Sequence, residues 1–143
     1  MKKISKIFII FILLICYIYI SSISYVAAVT KNISNNVFRL HVIANSDSDE
    51  DQNLKYIVRD NLINYMNSLT GNITSKKDAI EIAKQHEQDF YNIAIQTIQE
   101  NGFNYDVKIE IGNFYFPTKN YGDISFPCGY YDALKVEIGD ANR

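Results

Sequence analysis

Two histidines, two cysteines and a run of alternating aspartates are the residues of this chain whose types could do chemistry. His41 or His86, paired with Cys128 or a serine, would supply the base and nucleophile of a covalent mechanism. Neither histidine lies in a nucleophile elbow or any other local signature of such a site. His41 stands between Leu40 and Val42 and reads as a face-forming residue of a strand. Asp47, Asp49 and Asp51 alternate like the opening of a calcium loop. That loop needs Gly at its sixth place and Glu at its twelfth, where Gln52 and Val58 stand. His and Cys do not recur at metal spacing, and there is no Gly-rich phosphate loop. The residues describe a binding module, not an enzyme, and call for no cofactor or metal.

The charge is unevenly placed. Lys2, Lys3 and Lys6 precede the uncharged run Ile7 to Ile20, followed by Ser21, Ser22, Ser24, Ala27 and Ala28. A basic start, an apolar middle and a small-residue exit describe an export signal, with cleavage expected after Ala28. Extended to Val29, the same stretch is long enough to remain as an N-terminal membrane anchor. Residues 1–28 are therefore a signal peptide or an anchor, 29–36 a polar tether, and 37–143 one exported domain. Beyond Ala28 the chain keeps 11 basic and 16 acidic residues. That balance argues against a nucleic-acid partner, which would want a basic face. With Cys16 inside the apolar run, Cys128 is left alone and reads as a small buried hydrophobe.

The domain's elements follow from periodicity. Val37 to Ala44 is apolar and β-branched, a strand, ending at the turn formers Asn45-Ser46-Asp47-Ser48. Ser48 is the expected N-cap of a helix whose first turn holds Asp49, Glu50 and Asp51. Leu54, Val58, Leu62, Tyr65 and Leu69 continue it at helical spacing until Gly71. Ser75 and Asp78 have the pattern of a capping box, opening a second helix with Ala79, Ala83, Phe90, Ala94 and Ile98 on one stripe. Gly102 is placed to end it. Tyr105, Val107, Ile109 and Ile111 alternate with charged residues, as do Leu134, Val136 and Ile138, giving two more strands. The expected fold class is α+β: two helices on one face of a small, mostly antiparallel sheet, in the order β-α-α-β-loop-β.

The segment from Phe114 to Tyr131 holds both prolines and seven of the 19 aromatic residues. Such density in an irregular connection points to a partner surface. Candidate contact residues are Phe116, Lys119, Tyr121, Asp123 and Tyr131, with Asn45, Ser46 and Asp47 at the strand-to-helix junction.

Two blocks, Arg39-Leu40-His41-Val42-Ile43-Ala44-Asn45-Ser46-Asp47-Ser48 and Phe116-Pro117-Thr118-Lys119-Asn120-Tyr121-Gly122-Asp123, carry a resemblance. With Phe126-Pro127, Gly129, Tyr131 and Ile138-Gly139 they make residues 37 to 139 similar to the stage II sporulation protein R family of endospore formers. The resemblance implies a signal exported from the forespore into the intermembrane space between forespore and mother cell. It further implies a partner, the membrane-embedded aspartic peptidase that processes pro-sigma-E. The chain departs from the family pattern at Cys128, where a small residue is usual, and at Tyr130, commonly acidic. It also stops at Arg143, before the Trp-rich segment usual in the family, which implies that the last strand, Leu134 to Ile138, leaves an open edge prone to pairing with another chain. From the residues alone, an exported cell-wall-binding or hydrolytic domain and a septal structural protein stay open.

Overall fold

The computed structural model describes residues 2–71, 73, 75–122 and 124–141, with side chains from Lys6 onward. Candidate residue Asp123 lies outside the described residues. The chain opens with helix α1, Lys2–Asn36, followed after one residue by strand β1, Phe38–Ile43. Helices α2 (Asp49–Thr70), α3 (Lys76–Gln85) and α4 (Glu87–Glu100) come next. Strands β2 (Val107–Phe116), β3 (Lys119–Tyr121), β4 (Ile124–Phe126) and β5 (Gly129–Ile138) complete it. The fold class is α+β.

The sheet order is β1-β5-β2, with β1 parallel and β2 antiparallel to β5; β3 and β4 form a separate antiparallel hairpin. The strand expected to be an open edge is thus the centre of the sheet. Its two apolar-rich flanks are both paired, and the sheet edges are β1 and β2. One face of the sheet, carrying Leu40, Val42, Ile109, Ile111, Leu134, Val136 and Ile138, packs on Leu54, Val58 and Leu62 of α2 and Phe90, Ala94 and Ile98 of α4.

Three helices, not two, follow β1. The long second helix expected from the apolar stripe breaks at His86, whose φ of −108° and ψ of 19° leave the helical region. Its N–H still donates to Ile82 O at 3.0 Å, while its own carbonyl accepts from Phe90 N at 3.1 Å. One residue thereby ends α3 and begins α4. The break lets Ala83 and Phe90 both reach the core, since the turn of direction corrects the drift of a seven-residue spacing on a 3.6-residue helix. At the start of α3, Ser75 is the N-cap residue but its hydroxyl makes no cap bond, so the capping box is absent. Gly102 ends α4 as expected, at φ +83°.

The polar tether expected over 29–36 is instead the last two turns of α1. No Gly or Pro occurs before Gly71, so nothing interrupts the helix. Its polar residues bond back along it, with Asn36 Nδ2 donating to Asn32 O at 2.8 Å. Ala28 sits inside this continuous helix, which is long and apolar enough to cross a membrane.

Candidate functional site

The alternation of a strand sends odd and even residues to opposite faces. In β1, Phe38, Leu40 and Val42 face the helices, so Arg39 and His41 face the other way, level with Ala133 and Lys135 of β5. On this second face Phe116, Tyr131 and Ala133 are buried, packed with Ile33, Val37, Phe114 and Phe126. The Arg39 guanidinium lies 4.1 Å from the Phe116 ring centroid, 5.0 Å from Tyr131 and 5.7 Å from Phe126. His41 meets Phe116 edge-on at 5.2 Å. Arg39 Nη1 is buried with no hydrogen-bond partner among the described residues. Its enclosure by three rings supplies electrostatic stabilisation of about 2 kcal/mol, which offsets part of that unmade bond. Tyr131 donates from its hydroxyl to Pro127 O at 2.7 Å.

Phe116 and Tyr131, expected as contact residues, are therefore interior: 5% and 0% exposed. Their aromaticity builds the platform from which the hairpin β3–β4 projects. Lys119 and Tyr121 are exposed on that hairpin, Tyr121 stacked edge-on against Phe126 at 5.8 Å. Cys128, expected to be buried, is exposed. Its place in the turn into β5, where its N–H donates to Thr118 Oγ1 at 3.1 Å, holds it at the surface.

The junction after β1 is a clasp. Asp51, buried in the first turn of α2, accepts from Asn45 Nδ2 at 3.0 Å and Ser46 Oγ at 2.5 Å. Hydrogen bonds from Ser46 and then Asn45 hold its carboxyl below the usual aspartate range, against the opposing effect of burial. Asn45 Oδ1 accepts from Asp140 N at 3.0 Å, tying the end of β5 to the same point. Ser48 Oγ caps α2 by accepting from Asp51 N at 3.2 Å. Asn45 and Ser46 are thus turned into the fold, while Asp47 stays exposed. The alternating aspartates serve different ends, and Asp51 spends its carboxylate on neutral donors.

His86 is engaged by Asp89, whose Oδ2 lies 2.8 Å from its Nδ1, and by the Tyr65 hydroxyl at 3.1 Å. The Tyr65 hydroxyl also donates to Asp89 at 2.8 Å. These bonds, His86 first, lower the Asp89 pKa. The trio joins α2 to the α3–α4 break and brings no Ser or Cys to the histidine. Sequence reasoning missed two further ties. Arg39 was visible only as a motif letter, since its stacking depends on strand pairing. Lys76 bridges Asp132 of β5 at 2.5 Å and Ser34 O of α1 at 2.8 Å, a meeting of three distant segments. What the arrangement offers is a surface: an exposed aromatic hairpin on a rigid aromatic platform, with an apolar groove of about 360 Å³ between β1, α2 and α3.

A family model described as stage II sporulation protein R matches residues 34–143. The chain is 32% identical over 110 residues to the stage II sporulation protein R of Bacillus subtilis (strain 168), covering 77% of this chain and 49% of that protein. It thus spans about half the length of the relative. No solved structure matches. The match runs from the last turn of α1 through every strand and helix of the folded part, and on that extent the chain belongs to the stage II sporulation protein R family of sporulation signalling proteins.

Proposed function

We propose that this chain is an extracytoplasmic signal of endospore formation, made in the forespore and exported toward the mother cell. There it activates, by protein contact, the membrane-embedded aspartic peptidase that processes pro-sigma-E. Family membership is the observation that supports this reading. A shape consistent with it is an apolar N-terminal helix joined to a domain that carries a separate, exposed hairpin. Contact runs through that hairpin, with Lys119 and Tyr121 on it, together with Asp123, which follows Gly122 in sequence, and with Asp47 as an exposed outlier near the clasp. Phe116 and Tyr131 hold the hairpin in place from below. Exposed aromatic residues on a rigid base lose little conformational freedom on binding, which suits them as anchors.

Deletion of the gene during sporulation, with pro-sigma-E cleavage followed by immunoblot, tests the function. Normal processing without this protein would sink it. Tyr121→Ala tests the surface: its ring is 56% exposed, so processing should fall roughly tenfold while the melting temperature holds. A lowered melting temperature with intact processing would assign Tyr121 to packing instead.

A further inference from the structure

The long sheet strands are polarised along their length. Residues 111–118 and 124–131 contain no Asp, Glu, Lys or Arg, whereas the opposite ends of β2 and β5 carry Lys108, Glu110, Lys135 and Glu137 in one ion-pair cluster. The uncharged end lies against α1. Cys128 and Tyr130 share a groove with Ile23, Val26, Ala27 and Thr30 of that helix. A Cβ built on Gly129 would come within 3.0 Å of Thr30 Cγ2, so the strand backbone packs directly on the Thr30 side chain of the helix. Beside this seam Tyr130 and Tyr115 are 65% and 60% exposed, their rings 5.5 Å apart. Ile23 and Val26 of α1 are exposed at 53% and 59%, so the tyrosines and the helix form one continuous apolar surface.

The apolar stretch of α1 from Ile7 to Val29 is about 35 Å long at 1.5 Å per residue, enough to cross a hydrocarbon core of about 30 Å. Lys6 and Lys31 bracket it. With the membrane boundary set at Val29, Gly129 against Thr30 stands level with it, and Tyr130, in the groove that Val26 and Ala27 also line, borders the headgroup region. Tyrosine, with an apolar ring and a polar tip, is suited to that depth. Only Val37 separates α1 from β1, so the folded part cannot lift away.

We propose that the uncharged end of the β2–β5 pair, with Tyr115 and Tyr130, seats in the headgroup region of the bilayer that α1 crosses. This rests on α1 remaining attached and not being cut after Ala28, and it goes beyond the signalling role. A second membrane contact beside the helix fixes the domain's height and tilt. The hairpin is then presented to a membrane-embedded partner at a set level instead of swinging on a stalk.

The chain has no Trp, so a single Tyr130→Trp substitution reports on its own surroundings. The full chain is reconstituted in vesicles of phosphatidylethanolamine and phosphatidylglycerol, with and without acyl chains brominated near the headgroup. Tyr56→Trp, at an exposed site on α2, is the reference. The expected result is a blue-shifted Tyr130→Trp emission quenched by bromolipid at least about twofold more than Tyr56→Trp. If the chain floats with vesicles but Tyr130→Trp is not quenched, the inference falls and the anchor stands. If it does not float at all, both fall. A blue shift that grows with protein concentration and ignores bromolipid would assign the patch to a second copy, and also overturns the proposal. None of these outcomes bears on the Tyr121→Ala processing assay, so the proposed function fails or survives separately.

Discussion

Gly139→Ala strikes the clasp where the end of β5 meets the end of β1. Gly139 has φ +60°, and a Cβ there would stand 2.2 Å from Asn45 Oδ1, 2.9 Å from its Cγ and 3.1 Å from its Cβ. The new methyl meets the whole Asn45 side chain, so a small rotation of the amide cannot relieve it. The left-handed backbone costs a non-glycine residue about 1–2 kcal/mol. Displacing Asn45 also breaks its charge-assisted bond to Asp51 and its bond from Asp140 N, worth about 3 kcal/mol between them. We expect a loss of about 4 kcal/mol, a drop in melting temperature on the order of 20 °C for a domain of this size. Near-ultraviolet circular dichroism of the full chain in detergent reads the folded domain without interference from α1, whose helix survives in the micelle. Asn45→Ala removes the two nearest atoms and leaves only Cβ at 3.1 Å, so Gly139→Ala in that background should cost little beyond the backbone part of about 1–2 kcal/mol. Strictly additive costs, or a single-variant loss under about 1 kcal/mol, would show that the close approach at Gly139 is not what shapes the junction.

Ser48→Ala removes the hydroxyl that caps α2 and should cost about 1 kcal/mol in thermal melts. Arg39→Ala leaves three rings without their cation and stem, with an expected loss of about 3 kcal/mol; Arg39→Lys should recover little, because an ammonium cannot stack as a planar fork does. Asp51 and Asp132 both have lowered pKa values, by bonds from Ser46 and from Lys76 respectively. Their contribution is full above the ordinary aspartate value of 3.8 and is lost as pH falls through the lowered values. The melting temperature should therefore be level from neutrality to about pH 5 and fall steeply below pH 4, and Asp51→Asn should flatten that fall.

Local signals in the sequence located most elements. Ser48 at the head of α2 and Gly102 at the tail of α4 are capping choices set by a single residue's chemistry, and both stand where that chemistry puts them. The His86 break was invisible because an apolar stripe spaced by seven fits one helix or two, and only the packing of Phe90 against Tyr65 and α2 decides. The rank of β5 in the sheet was equally hidden. Its alternation looks the same at an edge or a centre, and the deciding fact is its pairing with β1 across the whole length of the domain. Among the candidate contacts, aromatic density singled out one segment but not the orientation of its side chains. Type alone could not separate Phe116 and Tyr131, which point to the interior face, from Tyr121, which does not.

The central place of β5 has a consequence for how the protein reaches its shape. Phe38 pairs with Asp132 and Ile43 with Glu137, so β1 must wait for a strand about 94 residues further along before it has a neighbour. Helices α2 to α4 can form early, but the surface on which they pack is incomplete until β5 arrives. Closing so long a loop is slow, and it postpones the cooperative step until β5 has been made. Under the export proposed above, that delay leaves the segment after α1 a loose thread while it crosses, and it closes only once β5 has followed β1 to the far side.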